Sequence, residues 1–466
     1  MSFRIAAFCI PAHGHTNPML PVIAELVRRG DTVRFYSFDM FEEKIRNTGA
    51  EFVSCERFLG ELTDEEKAGL NSVSSTELTI QDIRITLSMD SFLKEEFGSF
   101  RPDIVYSDAV CFWGKLNAWK YQVPLVVSTS TFAFNRMSSS YMQNSPREMF
   151  DLISGLPKVS KELKKLEPYG YHVRNALSLI QNDNYTDTVV YTSRRFQPYP
   201  ESFSGHYLFA GPSVFSKNVP DKNGHRPVVY ISMGTVINDR PDFYRNCIEA
   251  LRDTDNDVII SCGNAVDIKE LGELPENVSV YSYVDQMDVL CRANVFVTHC
   301  GMNSVSESMY MATPMVLYPQ TNEQKAVARR AEELGAGKLL EDDSAAGIRA
   351  AVLEILSDTG YSQAAAECRE DFIKCPGAAG AADFIESAPH ESDGRDVIRE
   401  LNRSNTRFMT VYTLAYIAMI EALKLIFGWK HLWIAGVILG ILGTPIVNAT
   451  QNRRYRKILE KHASGN

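Results

Sequence analysis

The stretch HCGMNSVSE, His299 to Glu307, carries the residue types of an anion site. It follows a short apolar run, Val295 to Thr298, and leads into a segment of helical periodicity. A strand, a turn at Gly301 and a helix start would aim unpaired backbone N–H groups and the positive end of the helix dipole at a ligand. Asn303 and Ser304 fall where those amides are free, and His299, at the end of the strand, can donate to a phosphate oxygen. Glu307 lies one helical turn beyond Asn303, where a carboxylate can accept from both hydroxyls of a ribose. The same letters also suit an ordinary helix start, an Asn or Ser cap followed by an acid. Locally, both readings stand.

Such a site needs a scaffold, and the chain supplies one twice. Short apolar runs bounded by Gly, Pro or Asp alternate with helical segments, the pattern of βα units around a parallel sheet. In the first half, strands are expected at Arg4 to Ile10, Thr32 to Ser37, Ile104 to Ser107 and Leu125 to Thr129, with a helix from Met19 to Arg29 stopped by Gly30. The segment GPSVFSKNVPDKNGHRP, Gly211 to Pro227, is rich in Pro, Gly, Asn and charge, and marks a boundary. The alternation then restarts at Val228 to Ser232, Val258 to Cys262, Val278 to Ser282, Val295 to Thr298 and Met315 to Tyr318. The expected organisation is a doubly wound domain over 1–215, a linker over 216–227, a second such domain over 228–386 and a polar linker over 387–407.

Composition narrows the partners. The 466 residues are 45% hydrophobic and 23% charged, enough for two or three domains, and the formal net charge of −10 provides no overall basic field for nucleic acid. Nine scattered cysteines, none in a CxxC, suit a reduced compartment and offer no zinc spacing. The N-terminal apolar run from Ile5 is broken at Pro11, too short for a secretory signal, so the catalytic domains are expected in the cytosol.

The tail changes character. Phe408 to Phe427 is largely apolar and Leu432 to Gln451 has no charged residue, each run being 20 residues long. At a helical rise of about 1.5 Å per residue each spans about 30 Å, the thickness of a bilayer core. Arg399, Arg403 and Arg407 flank one end and Arg453, Arg454, Arg456 and Lys457 the other, placing both ends on the cytosolic side. Residues 408–451 are therefore expected to form an apolar helical hairpin that tethers the protein to the cytosolic face of a membrane, with a basic tail over 452–466. Glu421 and Lys424 weaken the first run, and their i,i+3 spacing lets them pair. A soluble amphipathic pair of helices is the alternative.

The span HCGMNSVSESMYMATPMVLYPQTNEQ, His299 to Gln324, resembles the signature of the family 1 UDP-glycosyltransferases, in particular bacterial macrolide and natural-product members. The resemblance covers roughly Phe3 to Glu386 and implies a GT-B fold, two Rossmann-like domains facing a cleft. It implies that His299, Asn303 and Ser304 hold the diphosphate and Glu307 the ribose. YVDQMDVL, Tyr283 to Leu290, resembles the family's W-x-P-Q element: Tyr283 stands for the stacking Trp, Val284 meets the base through its backbone, and Gln286 keeps the ribose contact. Asp285 replaces the family's Pro, which leaves the loop less rigid. ISMGT resembles the first strand of the second domain, where Gly234 and Thr235 approach the phosphates. Glu323 and Gln324 match the pair that reaches the hydroxyls of the transferred sugar.

PAHGHTNPMLPVIAEL resembles the family's H-x-x-P element, His15 to Pro18. A His at the carboxyl end of a strand in a doubly wound domain sits at the ligand crevice, and an imidazole with a pKa near 6.5 suits removal of a hydroxyl proton. His15 is thus the expected general base, with His13 as its rival. Asp108, in YSDAVCFWG, matches the family's partner carboxylate and also suits a helix cap. The acceptor pocket is expected to draw on Leu59 to Phe100 and Thr131 to Phe150.

Together these imply an inverting transferase that moves a hexosyl group from a UDP-sugar, UDP-glucose first, to a hydroxyl of an apolar or amphipathic molecule or lipid, without metal. A GT-B epimerase or lipid-precursor transferase, and a tethered sugar-nucleotide-binding partner without catalysis, are the rival readings.

Overall fold

The computed structural model describes residues 2–61, 75–135, 137–142, 146–173, 179, 185–214, 219–222, 224, 226–235 and 237–390, and scattered helical positions between 400 and 460. One compact unit, Met1–Pro198 with Tyr207–His390, contains two parallel sheets; residues 199–206 and 391–466 form a second unit.

The first sheet is built from β1 (Arg4–Phe8), β2 (Thr32–Ser37), β3 (Glu51–Ser54), β4 (Ile104–Asp108), β5 (Leu125–Thr129), β6 (Asp187–Val190) and β7 (Tyr207–Phe209), in the order β3-β2-β1-β4-β5-β6-β7. The second uses β8 (Val228–Ser232), β9 (Asp257–Ser261), β10 (Val278–Tyr281), β11 (Val295–Thr298), β12 (Met315–Leu317) and β13 (Gly337–Leu339), ordered β10-β9-β8-β11-β12-β13. These are two doubly wound Rossmann-like layers, as the alternation of runs implies. Central strands read as continuous apolar runs because helices cover both faces: Ile5 to Phe8 and Val295 to Val297 are fully buried. The strands β3, β6, β7 and β13 are additions to those expected.

Strand order fixes where a ligand can sit. In each sheet the order reverses direction once, between β1 and β4 and again between β8 and β11, and an open α/β sheet splits at that point beyond the carboxyl ends of its strands. Phe8 pairs with Ser107, and Thr298 with Ser232, so the loops leaving each strand pair emerge side by side.

The first helix, His13–Arg28, begins six residues earlier than its periodicity suggested, which places His15 in a helical first turn and not at the end of a strand. The helix Gly377–Glu386 belongs by sequence to the second half, yet it packs against the helix His13–Arg28 and β4, and Ala381, Ala382 and Ile385 join the core of the first sheet. Burying Ile385 contributes about 2 kcal/mol relative to leaving it in water. Arg29 ties the same helix down through Asp383 and Glu386, each at 2.6 Å.

Most of the expected hairpin, including 425–449, lies outside the described residues. Among the described residues no helix is long and apolar enough to cross a membrane. Within the second unit, Lys424 donates to Glu421 at 3.2 Å, and the Arg454 guanidinium lies 5.1 Å from the centre of the Phe408 ring.

Candidate active site

Asp108 is the last residue of β4 and is fully buried. One carboxylate oxygen accepts from Val110 N at 3.0 Å, and the other from His15 Nδ1 at 2.8 Å. Its expected alternative role is thereby met in modified form: it caps the turn after β4, not the helix Phe112–Tyr121, while also holding the imidazole. With its Nδ1 proton directed at Asp108, His15 keeps Nε2 as a bare base. The ring retains 28% of its side-chain exposure, so a substrate can reach it.

The proton affinity of His15 is set by competition. Burial lowers it, but the Asp108 carboxylate by charge and hydrogen bond, with Glu323 and Asp82 at longer range, raises its pKa above the ordinary histidine value. His13, by contrast, packs edge-on against Phe41 at 4.9 Å, and burial followed by the Lys44 charge lowers its pKa. Of the two rivals, His15 is the one whose ring meets a buried carboxylate.

Two neighbours escaped sequence reasoning. Ser130, just past β5, places its hydroxyl 3.1 Å from His15 Nδ1. Asp82, on the helix Ser75–Ser88, has its pKa pushed well up by burial and then by Asp108, against the pull of Lys115 and His15. Neither residue lies in a motif, and only the fold brings them near His15.

On the second sheet, His299 follows β11 and Gly234 follows β8. Gly234 has φ +75°, and a Cβ there would stand 2.5 Å from His299 Cε1 and Nε2. A Cβ on Gly301 would meet His299 Nε2 at 2.6 Å. Two glycines thus leave the space in which this ring sits, forming a cradle that any side chain would fill. Burial lowers the His299 pKa to about 4, only partly opposed by the Ser232 backbone, so the ring is neutral at pH 7.

Gly301 starts the helix Met302–Tyr310, and the first bond back to it comes from Val305 N at 3.0 Å. The amides of Met302, Asn303 and Ser304 precede that bond and have no partner within the helix. One turn on, Glu307 accepts from Gln286 Nε2 at 2.6 Å, and the same NH2 group lies 3.3 Å from Ser304 Oγ. Burial lifts the Glu307 pKa to about 7, with Gln286 lowering it and Asp285 raising it. Tyr283 is 81% exposed, a bare aromatic face beside this group.

At three of the expected positions the side chain also has a partner within the protein. Asp285 caps the helix Gln286–Arg292, its carboxylate accepting from Met287 N and Asp288 N at 3.0 and 3.2 Å. Gln324 commits its oxygen to a capping box, accepting from Gln320 N and Thr321 N at 2.7 and 3.1 Å, which leaves its NH2 group for a ligand. The Asn303 side chain donates to the Gly14 carbonyl at 2.9 Å, which leaves its main-chain amide for the expected diphosphate. Glu323 is exposed, while Val284 is half-buried against the second domain's core. Thr235 shares the turn with Gly234, whose carbonyl accepts from Asn238 Nδ2 at 2.9 Å. Among the described residues no group of His, Cys, Asp and Glu could hold a metal ion.

This arrangement offers a supported base on one switch point, and on the other a neutral imidazole, free amides and a carboxyl–amide pair. Residues 214–368 match the model of the "UDP-glucoronosyl and UDP-glucosyl transferase" family. The NDP-glycosyltransferase YjiC of Bacillus licheniformis is 34% identical over 405 residues, covering 82% of this chain and 97% of its own. The oleandomycin glycosyltransferase of Streptomyces antibioticus is 28% identical over 412 residues, covering 83% and 92% respectively. Among solved structures, the calicheamicin glycosyltransferase CalG4 superposes with a TM-score of 0.70 at 25% identity, over 84% of this chain and 100% of that one.

Proposed function

Because this chain belongs to the family 1 UDP-glycosyltransferases and is a glycosyltransferase of the GT-B fold, we propose that it moves a hexosyl group from a UDP-sugar to a hydroxyl of an apolar or amphipathic acceptor, with inversion at the anomeric carbon. The observation that carries this reading is the His15 Nδ1 to Asp108 contact of 2.8 Å at the first sheet's switch point. His15 Nε2 takes the acceptor proton as the oxygen attacks the anomeric carbon, and Asp108 stabilises the imidazolium that results. The bond to the diphosphate breaks on the opposite face of the sugar, leaving UDP.

Departure of UDP develops charge on the phosphate oxygens. The free amides of Met302, Asn303 and Ser304, the neutral His299 and the Gly234–Thr235 turn are suited to receive it, since fixed donors in a partly dry site cost no reorganisation. Glu307 and Gln286 take the ribose hydroxyls, Tyr283 stacks on the base while the Val284 backbone reads its edge, and Glu323 with the Gln324 NH2 group meets the sugar. Glucose is the first sugar to test. Residues 408–451 are proposed as a tether to a membrane surface, which would favour lipid or membrane-partitioned acceptors.

The test is to incubate the full chain with UDP-glucose and a panel of phenols, macrolides, sterols and lipids, with and without vesicles, measuring glycoside and UDP. His15→Ala should reduce transfer by about 10²- to 10⁴-fold. Absence of any acceptor-dependent glycoside, or transfer by His15→Ala near the wild-type rate, would sink this reading; failure to sediment with vesicles would remove the tether alone.

A further inference from the structure

The contact between Asn303 and Gly14 joins residues 289 positions apart, one on each Rossmann-like domain. Its origin lies in the first helix. In a regular helix the Gly14 carbonyl would accept from the N–H four residues on. That residue is Pro18, inside the helix His13–Arg28, and Pro has no N–H. The Gly14 oxygen is therefore left without its usual partner at the turn that also carries His15. Asn303 Nδ2, from the first turn of the helix Met302–Tyr310, supplies the missing donor at 2.9 Å.

We propose that Asn303 is a positioning residue: its side chain latches the donor-phosphate helix to the His15 turn, through an oxygen that Pro18 leaves open. The proposal rests on the donor-site reading above and deepens it. Diphosphate is held by main-chain amides, which every residue at 303 except Pro retains, so the side chain is released for the second task. Binding of the nucleotide then orders the helix start and the base-bearing turn together. Pro18 accordingly does more than shape the chain, since it vacates the acceptor that the other domain reads.

The full chain is tested with three measurements: UDP affinity by calorimetry, kcat and donor KM in transfer, and hydrogen exchange at the amides of Gly14 to Asn17 with and without UDP. Asn303→Ala is expected to lower kcat by about tenfold, to keep UDP affinity and donor KM within about threefold, and to lose the UDP-induced slowing of exchange seen in the wild type. Asn303→Gln, which keeps a donor, should recover part of kcat. Pro18→Ala restores an N–H that competes for the Gly14 oxygen; it should raise Tm while lowering kcat, and the double variant should be no slower than the worse single one. A tenfold or greater loss of UDP affinity in Asn303→Ala with kcat unchanged would make the side chain a phosphate ligand and overturn the latch, as would additive effects of the two substitutions. UDP that binds without slowing exchange at Gly14 to Asn17 in the wild type overturns the latch alone. No UDP binding in the wild type overturns the donor-site reading and the latch with it.

Discussion

Two histidines stand at the switch points of the two sheets, on opposite strands of the pair, and are tuned in opposite directions. His15 lies past β1 beside the β4 carboxylate of Asp108; His299 lies past β11 beside the β8 turn at Gly234. Burial works against the charged form of both. At His15 a buried carboxylate at 2.8 Å outweighs it and the pKa rises. At His299 only a backbone hydrogen bond with Ser232 opposes burial among the described residues, and the pKa falls to about 4. One imidazole is prepared to accept a proton, the other to stay neutral and donate a hydrogen bond. Two imidazoles at the switch points of a repeated fold thus acquire different chemistry from their neighbours.

The largest test of that contrast removes the neighbour. Asp108→Asn should cut the transfer rate by about 10²- to 10⁴-fold, because the imidazolium loses its counter-charge and the tautomer its anchor. Its residual activity should also change in pH dependence. A base must be unprotonated, so wild-type kcat/KM should rise with pH along a limb lying above the ordinary histidine range, and Asp108→Asn should move that limb to lower pH. An unmoved limb in a pH–rate profile would separate Asp108 from the titration of His15.

A smaller effect is expected from crowding the other ring. Gly234→Ala forces a Cβ to 2.5 Å from His299 at φ +75°, a backbone strain of about 1–3 kcal/mol in addition to the displaced imidazole. UDP affinity measured by calorimetry should weaken by about 10- to 100-fold, while His15 keeps its pH limb. Equal damage to both would show that the two rings are not independently tuned.

The smallest expected change concerns Glu307. Its pKa near 7 means that the carboxylate form, proposed above to accept from the ribose hydroxyls, is lost as pH falls through 7. UDP affinity should decline by about tenfold between pH 8 and pH 6, and Glu307→Gln should bind more weakly at pH 8 with a flat profile. A wild-type profile as flat as that of the variant would place the ribose elsewhere.

Much of this design is local enough to read directly from the residues. The turn at Gly301, the free amides after it and Glu307 one turn on all lie within nine consecutive residues, and helix geometry alone sets their spacing. The capping roles of Asp285 and Gln324 are equally local, but for Gln324 the cap and the sugar contact draw on the same side chain, and its hydrogen bonds give the oxygen to the cap. Helix start was harder. Pro18 and Pro21 interrupt the periodicity, so the first turn of the helix His13–Arg28 was hidden, and His15 with it was assigned to the end of a strand.

What the chain alone determined is the pair of doubly wound domains, because buried parallel strands must be continuous apolar runs, and the short motifs whose function depends on near neighbours. Tertiary structure decided everything that depends on which loops meet. Parallel pairing of β1 with β4 and of β4 with β5 brings Asp108 and Ser130 to one imidazole nitrogen across 93 and 115 residues. Packing of the helix Gly377–Glu386 against the helix His13–Arg28 and β4 assigns residues from the end of the second half to the core of the first. Asn303 finds an oxygen that Pro18 left open 289 positions from it. Separation along the chain carries no distance information of its own; strand order and the missing N–H of one proline supplied it.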